Sequence, residues 1–594
     1  MGSIKLKING QEVTAEEGQT ILEAAQGAGI DIPTLCHHPA LKPIGACRVC
    51  LVEVSGQRTL QPACTFPAGA NLEVQTESPK VVEARKFVLE LIFSERNHFC
   101  MYCEMSGDCE LQDLAYRYGI DHMTYPTYTR GYPVDATPTY FLLDHNRCVL
   151  CRRCVRACSD LAACHTLDLR QRGAATMVHA DMNLPVGGSS CVSCGTCLDV
   201  CPTGALIDKR SAFMGREKET ESVTSTCSQC SVGCGIRVVT RGGNVLRIDG
   251  DWTCPVNAGV LCEKGRFQPL YDPRPRVVKP LVRRNGIQVE ADWDQALQVA
   301  AERVRGTPPE KMGVLVSTHA TNEALYLVAK LLGKELGAAQ IGLLNPSAPA
   351  LAGGSVGTLA DVPKSDCILV AGADPARDQP VVSFLVKRAV DRGARLVLMD
   401  GEETALAPFA HLNVSGAKVE QALAMARDSE SPMVLYGAGL TEEMEHALGK
   451  LNGKALFLAL QPGVNTRAAK TYGLDNSLDP ARVDVLYVLA GEQDPADVEV
   501  LKGVRKGAFL VVQASYASPL TERADVVLPA AIWSERSGTL TDTEGLVREA
   551  RKATDPLGEA KPDWEILSLL GEKLGKKLGG SLNEIAERAA QQLH

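Results

Sequence analysis

The sequence lacks any uninterrupted apolar run that approaches the roughly 20 residues of a membrane-spanning helix. Its first residues, MGSIKLKING, contain no apolar segment of the kind that marks a secretory signal. Basic residues are fewer than acidic ones, 62 against 71, which gives a formal net charge of -9. Nucleic-acid-binding proteins normally carry a basic stripe instead. We therefore expect a cytoplasmic protein that neither inserts into a membrane nor binds nucleic acid.

The C-terminal half has almost no cysteine. Of the 22 cysteines, 21 lie at or before Cys262, and only Cys367 follows. In a large chain of a reducing compartment, clustered cysteines indicate metal sites far more often than disulfides. The 594 residues suggest roughly four domains at about 150 residues each, and the metal sites are expected in the N-terminal ones.

The first cysteine set follows a predicted hairpin and a short helix. Alternating residues on both sides of Asn9-Gly10 predict the hairpin, and TILEAAQGAGI predicts a helix with Thr20 as its N-cap. The set consists of Cys36, Cys47, Cys50 and Cys64. A hairpin, a helix and a cysteine loop form the layout of a [2Fe–2S] ferredoxin, although the first gap is ten residues rather than the four of the plant type. Zinc is the alternative, but zinc sites usually come as two CxxC pairs.

The second set combines one histidine with three cysteines: His98, Cys100, Cys103 and Cys109. It follows a stretch whose apolar residues recur at helical spacing and predict a core-facing stripe. The stripe consists of Ala84, Phe87, Val88, Leu91 and Ile92. Three thiolates and an imidazole can hold a [4Fe–4S] cluster, and a neutral imidazole removes one negative charge and should raise the cluster potential. The alternative is that His98 is an ordinary core or surface histidine.

Two further runs share the spacing C-x2-C-x2-C-x3-C, which is typical of bacterial two-cluster ferredoxins. In those proteins the fourth cysteine of each run serves the other cluster. The spacing therefore assigns one [4Fe–4S] cluster to Cys148, Cys151, Cys154 and Cys201. It assigns the neighbouring [4Fe–4S] cluster to Cys191, Cys194, Cys197 and Cys158. Cys164 fits no spacing and is expected to be an inert thiol.

A fifth set opens with Cys227, Cys230 and Cys234 in TCSQCSVGCG. Two later cysteines, Cys254 and Cys262, compete as its fourth member. The spacing alone leaves both open.

The second half alternates short apolar runs with helical stretches, which predicts buried parallel strands in a doubly wound α/β body. The runs lie at 313–317, 367–372, 395–400, 433–437, 455–460, 484–491 and 508–513. No G-x-G-x-x-G fingerprint occurs in the chain, so a dinucleotide site is not expected on it. If NAD(P)H is a substrate, a partner chain holds it.

The order of these motifs resembles the large iron–sulfur subunits of NADH-linked oxidoreductases. This superfamily includes the large iron–sulfur subunit of respiratory complex I, electron-bifurcating hydrogenases, diaphorase subunits of NAD-reducing hydrogenases and alpha subunits of NAD-dependent formate dehydrogenases. The resemblance covers nearly the whole chain and implies Cys262, in LCEKGR, as the fourth ligand of the fifth [4Fe–4S] cluster. The complete second run CVSCGTCLDVCP and the short His98-Phe99-Cys100 spacing are similar to the soluble, bifurcating branch rather than to complex I.

The expected architecture is multidomain α+β and α/β. A β-grasp [2Fe–2S] ferredoxin-like domain is expected at 1–79, a helical domain with the histidine- and cysteine-ligated [4Fe–4S] cluster at 80–120, and a two-cluster [4Fe–4S] ferredoxin domain at 138–210. A molybdopterin-oxidoreductase-type [4Fe–4S] domain is expected at 220–275 and a degenerate α/β domain of that family at 276–594.

The last domain departs from active molybdopterin oxidoreductases. The stretch IGLLNPSAPALAGG has neither the Cys nor the His that the resemblance places beside molybdenum or tungsten, and the chain ends where active relatives continue into a further cofactor-binding domain. We expect no molybdopterin here. Lys264, which in active relatives lies between cluster and pterin, is then expected to act only as a structural cation near the fifth cluster.

One [2Fe–2S] and four [4Fe–4S] clusters without a catalytic site on the chain predict an electron-transfer subunit. The resemblance implies an NADH-oxidising flavoprotein with FMN or FAD, a small [2Fe–2S] subunit, ferredoxin and an NADP-binding flavoprotein as partners, and thus a bifurcating transhydrogenase-type complex. A flavin would split a hydride into single electrons. The alternatives are a complex I subunit, a catalytic molybdenum or tungsten formate dehydrogenase and a zinc-binding scaffold.

Overall fold

The computed structural model describes residues 2–128, 131–351, 353–399, 404–414, 419–493 and 502–593. The chain divides into two compact units, Met1–Glu221 and Ser222–His594. No helix in the described ranges is long and apolar enough to cross a membrane.

The first unit begins with a five-stranded sheet and one helix. Its elements are β1 (Ser3–Ile8), β2 (Gln11–Glu16), α1 (Ile21–Gly27), β3 (Leu51–Val54), β4 (Gln61–Pro62) and β5 (Glu73–Gln75). The strand order is β2-β1-β5-β3-β4. The predicted hairpin is confirmed, because β1 and β2 pair in antiparallel register around Asn9 (φ +50°) and Gly10 (φ +83°), the left-handed pair that a tight hairpin turn requires. Thr20 caps α1 through a capping box with Glu23, as predicted.

Two helices follow, α2 (Pro79–Glu95) and α3 (Glu110–Arg117). The predicted core-facing stripe of α2 is wrong in part, since Phe87 and Leu91 are 48% and 42% exposed. The buried face is instead centred on Arg85, whose guanidinium donates to the Leu51 carbonyl and to the hydroxyl of Tyr118. The spacing of apolar residues cannot predict that a charged side chain occupies the buried face of α2.

The rest of the first unit consists of short elements around the cysteine runs. They are β6 (Val134–Asp135), β7 (Phe141–Asp144), α4 (Arg153–Arg156), β8 (Leu167–Arg170), β9 (Met177–Ala180), α5 (Thr196–Asp199) and β10 (Leu206–Asp208). They form one sheet of order β10-β7-β6 and a separate β8-β9 pair. α4 and α5 contain Cys154 and Cys197, the third cysteine of each run, at equivalent positions, as expected of an internal repeat.

The second unit opens with a small sheet and a short helix: β11 (Glu221–Thr226), β12 (Gly235–Arg241), β13 (Asn244–Gly250) and α6 (Glu263–Arg266). Two larger sheets make up the remainder. The first has the strand order β15-β14-β26-β25-β24-β16-β17, made of β14 (Leu281–Arg284), β15 (Ile287–Glu290), β16 (Met312–Val316), β17 (Gln340–Leu343), β24 (Val485–Gly491), β25 (Phe509–Ala514) and β26 (Val526–Pro529). Its strands from β16 to β26 are mutually parallel.

The second large sheet is parallel throughout. Its order is β18-β23-β22-β19-β20-β21, made of β18 (Ser355–Val356), β19 (Cys367–Ala371), β20 (Arg395–Leu398), β21 (Leu412–Asn413), β22 (Pro432–Tyr436) and β23 (Leu456–Ala459). The predicted parallel strands are confirmed, and the end of the predicted run 395–400 lies outside the described residues. The chain changes winding direction between β19 and β22, where open α/β sheets form ligand crevices.

Helices cover these sheets, and a hairpin of β27 (Gly538–Thr541) and β28 (Val547–Ala550) adjoins them. The helices are α7 (Trp293–Arg305), α8 (Asn322–Val328), α9 (Pro375–Asp378), α10 (Pro380–Asp391), α11 (Val419–Arg427), α12 (Glu442–Gly449), α13 (Thr466–Thr471), α14 (Pro519–Arg523), α15 (Asp563–Lys573) and α16 (Leu582–Leu593). α8 runs on into a π-helical stretch, Ala329–Glu335. The expected fold class is thereby confirmed.

Candidate metal centres

The four cysteines of the first set meet in the loop region next to the five-stranded sheet. The Cys36 thiol is hydrogen-bonded to the thiols of Cys47 and Cys64, and Cys50 is hydrogen-bonded to Cys64. Backbone N–H groups of Ala46 and Cys47 also donate to the Cys36 sulfur, the latter over 3.5 Å. These donors hold the pKa of the Cys36 thiol far below its usual range. The donor set suits a group that binds four thiolates and accepts backbone hydrogen bonds.

The second set lines one small cavity with all four of its members, His98, Cys100, Cys103 and Cys109. The Nε2 atom of His98 is buried and has no hydrogen-bond partner among the described residues. The ring bonds to the backbone carbonyl of Ile92, so Nδ1 makes that bond. Burial lowers the pKa of His98 to about 4 and keeps the imidazole neutral. A neutral ring with Nδ1–H held by a carbonyl and a free Nε2 lone pair is the form that binds a metal.

The third set lines another cavity, and it comprises the four cysteines that the crossed assignment predicts: Cys148, Cys151, Cys154 and Cys201. Leu150 (φ +51°) and Arg152 (φ +57°) adopt left-handed backbone conformations between them. Such non-glycine residues cost of order 1–3 kcal/mol each and cluster at functional sites. Here the conformation turns the N–H of Leu150 towards the Cys148 sulfur, at 3.4 Å. Ser193 (φ +50°) and Gly195 (φ +71°) repeat it in the next run.

The fourth set is also brought together. Burial is the main cause that raises the pKa of the Cys197 thiol. Four neighbouring thiols raise it further: Cys194, Cys191, Cys154 and Cys158. Three of these complete the predicted fourth set, whereas Cys154 belongs to the third. The third and fourth sets therefore adjoin, as in a two-cluster ferredoxin.

The fifth set lies in the second unit, and burial raises the pKa of each member. After burial, the thiols of Cys230 and Cys262 are the largest causes that raise the pKa of the Cys227 thiol. A Cβ atom on Gly265 would lie 3.2 Å from the Cys227 sulfur and 4.0 Å from the Cys262 sulfur. Both thiols thus face the same glycine at the start of α6, which supports Cys262 as the fourth member.

Cys254 has a different environment. It lines a separate polar cavity beside Asp251 and Arg548. Its sulfur would be only 2.8 Å from a Cβ atom on Gly235. Across the described ranges, no three His, Cys, Asp or Glu side chains converge in the manner of a single-ion site. The ligands of a cluster stand around a cage of several atoms and are correspondingly farther apart.

Thr203 and Gly204 lie between the second and third sets. Thr203 lines both cavities. A Cβ atom on Gly204 would lie 2.6 Å from the Cys103 sulfur. The N–H of Glu110 donates to the Pro202 carbonyl over 3.0 Å. Thr203 and Gly204 were not among the residues predicted from the sequence, although their position directly after Cys201-Pro202 was the available signal.

The second unit holds a cavity of about 1230 Å³ at the winding change of the parallel sheet. Gly372, after β19, and Gly437, after β22, line it together with Lys264. The positive charge of Lys264 acts on Cys230 and Cys262. The cavity therefore lies beside the fifth set, on the other side of this lysine.

The residues around this cavity do not fit a metal held through a protein thiolate. The described residues that line it include no cysteine. The stretch IGLLNPSAPALAGG contributes Asn345 and Pro346 to the wall. Two acceptors, Gln379 Oε1 and Gln493 Oε1, are buried there and have no hydrogen-bond partner in the described part of the chain.

Five family models match the chain. Molybdopterin oxidoreductase matches 276–573 and its Fe4S4 domain matches 220–271. The 2Fe-2S iron-sulfur cluster binding domain matches 2–79 and the NADH-ubiquinone oxidoreductase-G iron-sulfur binding region matches 85–124. The ferredoxin-like domain of NADH-quinone oxidoreductase subunit 3 matches 140–207. The four iron–sulfur matches contain all five cysteine sets.

Curated relatives extend over nearly the whole chain. The mitochondrial NADH-ubiquinone oxidoreductase 78 kDa subunit of Neurospora crassa is 30% identical over 97% of this chain and 81% of its own length. NADH-quinone oxidoreductase subunit 3 of Thermus thermophilus is 29% identical over 99% of this chain and 84% of its own. A chain from the crystal structure of an H2-reduced NAD+-reducing [NiFe]-hydrogenase is 36% identical over 36% of this chain and 91% of that chain, with a TM-score of 0.35.

Proposed function

Because the chain belongs to the family of large iron–sulfur subunits of NADH-quinone oxidoreductases, with a molybdopterin oxidoreductase domain in its C-terminal half, we propose that it is the iron–sulfur electron-transfer subunit of a multi-subunit NADH-linked oxidoreductase. The observation that carries the proposal is the meeting of Cys148, Cys151 and Cys154 with the distant Cys201 around one cavity. A cluster held by all four thiols would account for a cysteine from the second run that joins three from the first.

The proposed cofactors are one [2Fe–2S] and four [4Fe–4S] clusters. The [2Fe–2S] ligands are Cys36, Cys47, Cys50 and Cys64. The four [4Fe–4S] sets are His98, Cys100, Cys103 and Cys109; Cys148, Cys151, Cys154 and Cys201; Cys191, Cys194, Cys197 and Cys158; and Cys227, Cys230, Cys234 and Cys262. When bound, such clusters accept and donate single electrons. We also propose the domain boundaries that the sequence predicts, which are 1–79, 80–120, 138–210, 220–275 and 276–594.

The third set adjoins the second through Thr203 and the fourth through Cys154 and Cys197. It therefore lies between the second and the fourth set. An intermediate set with a neighbour on each side suits a subunit that relays electrons.

The proposed partners are an NADH-oxidising flavoprotein, a small [2Fe–2S] subunit, ferredoxin and an NADP-binding flavoprotein, in a bifurcating transhydrogenase-type complex. The complete fourth set supports this branch. A complex I subunit is the second candidate, favoured by the names of the relatives.

We propose that the chain binds no molybdopterin, because the described lining of the 1230 Å³ cavity has no cysteine. For Lys264 we propose a structural role. None of the 22 cysteines forms a disulfide in the described part of the chain, which suits a cytoplasmic location.

The test is anaerobic purification of the native complex, with iron, acid-labile sulfide, molybdenum and tungsten measured per chain. The proposal expects about 18 irons and as many sulfides, no stoichiometric molybdenum or tungsten, and soluble flavoprotein subunits in the same preparation. Protein free of iron and sulfide contradicts the proposal. Copurification with quinone-reducing membrane subunits favours the complex I candidate.

A pair of matched cysteine variants tests the crossed ligand set. Cys201→Ser should lose the third [4Fe–4S] cluster, whereas Cys164→Ser, in the same domain but outside every set, should retain all five. Equal iron content in the two variants contradicts the assignment of Cys201.

A further inference from the structure

One arginine connects the first and third ligand sets. Arg156 ends α4 and is only 9% exposed. Its Nη2 atom donates to the carbonyl oxygens of both Cys36 and Cys151, the latter over 3.5 Å. Its Nη1 atom donates to the Lys42 carbonyl, and its Nε atom donates to the Arg152 carbonyl over 3.3 Å. One guanidinium thus contacts the loop around Cys151 and also a loop that lies 120 residues before Arg156 in the chain.

The geometry of a guanidinium explains why arginine can make this connection. Its N–H groups point outward in one rigid plane, so they can reach carbonyls on two loops at once. Cys36 belongs to the proposed [2Fe–2S] set and Cys151 to the third set. The separation of the two sets therefore depends on a side chain that supplies no ligand.

The charge of Arg156 has no carboxylate bonded to it among the described residues. All four of its hydrogen bonds end on backbone carbonyl oxygens. The neighbouring Arg153 differs, because Glu110 binds its guanidinium with both carboxylate oxygens at 2.6 and 2.7 Å. A buried cation is costly unless negative charge lies nearby.

The charge of Arg156 instead lies beside the two ligand sets, because its guanidinium donates to the backbone carbonyl oxygens of Cys36 and Cys151, whose thiols are proposed cluster ligands. A positive charge between two electron-accepting groups favours the reduced form of each, because reduction adds negative charge next to it.

We infer that Arg156 is a positioning residue for electron exchange between the [2Fe–2S] set and the third set, which it holds at a defined separation while stabilising an added electron on either one. The inference rests on the proposed function. Arg156 then makes two contributions that can be separated by experiment. Its planar guanidinium fixes the separation of the two sets, and its charge stabilises the added electron.

The test compares Arg156→Gln, Arg156→Lys and the control Arg172→Gln in the anaerobic holo-complex. Arg172 is exposed in the same unit, so its replacement removes the same charge from the surface. Iron and sulfide are measured first. EPR-monitored redox titration then gives the midpoint of each cluster, and freeze-quench EPR gives the rate at which one added electron equilibrates between the two.

Arg156→Gln should lower the equilibrium constant for reduction of both clusters about tenfold, which is about 59 mV for a one-electron couple. It should also slow equilibration at least tenfold. Arg156→Lys should restore the midpoints but not the rate, because an ammonium carries the charge without the planar fork. If Arg156→Gln fails to assemble its clusters, Arg156→Lys is the test by itself. Its midpoints should equal those of the native protein, and its equilibration rate should be lower.

Midpoints and rates in Arg156→Gln that match those of Arg172→Gln overturn the inference, as does an Arg156→Lys protein that equals the native one in both. These outcomes leave the proposed function intact, because the native complex still contains its clusters. Native protein without iron and sulfide overturns the proposed function itself.

Discussion

Adding one methyl group at Gly204 should damage the second ligand set selectively. The new Cβ atom would lie 2.6 Å from the Cys103 sulfur, against 3.4 Å or more for an ordinary van der Waals contact. One of the two atoms must therefore move by about 0.8 Å. A sulfur bound to iron cannot rotate away, so we expect Gly204→Ala to cost about 1–3 kcal/mol, the usual range for overpacking.

The clash alone accounts for this effect, because Gly204 has no positive φ and its backbone tolerates alanine. Gly188→Ala is the matched control, since a Cβ atom there meets nothing within 4 Å. Thermal unfolding of the anaerobic holoprotein should show a lower Tm for Gly204→Ala only, by about 2–4 °C per kcal/mol in a unit of this size.

The EPR signal of the proposed cluster at His98, Cys100, Cys103 and Cys109 should change in Gly204→Ala, while the signal of the proposed [2Fe–2S] cluster stays as in the native protein. Should both alanine variants show the same Tm, iron content and spectra, then Gly204 does not lie against a cluster ligand and the reasoning fails.

Two further predictions concern the remaining ligands. His98→Ala should perturb one [4Fe–4S] EPR signal and leave the [2Fe–2S] signal intact, because His98 lines one cavity with its three cysteines and its buried Nε2 has no partner among the described residues. His122→Ala, at an exposed histidine, serves as control, and an unchanged spectrum in His98→Ala excludes ligation. Cys262→Ser should lose one cluster from the second unit, whereas Cys254→Ser should keep it, since Cys254 lines a separate cavity. Iron is measured in both variants. A loss of iron in Cys254→Ser and not in Cys262→Ser would assign the fourth ligand to Cys254.

Local patterns in the sequence predicted most of the fold. The hairpin at Asn9 and the cap at Thr20 depend on residues within a few positions of each other, and short apolar runs predicted the buried parallel strands. The inner face of α2 could not be predicted, because Arg85 is buried through partners at Leu51 and Tyr118 that are distant in sequence.

The sequence by itself predicted how the cysteines of the two repeated runs group, since a C-x2-C-x2-C run brings its thiols together by the path of its own backbone and a repeated run implies its crossed partner. The same spacing left Cys254 and Cys262 both open for the fifth set. Only the tertiary structure decided what lies between the groups. Thr203 separates two cavities, Gly204 lies against Cys103, and Arg156 reaches Cys36 across 120 residues. Such contacts arise when separate loops pack together, and no spacing along a chain specifies which side chain will fill the gap between them.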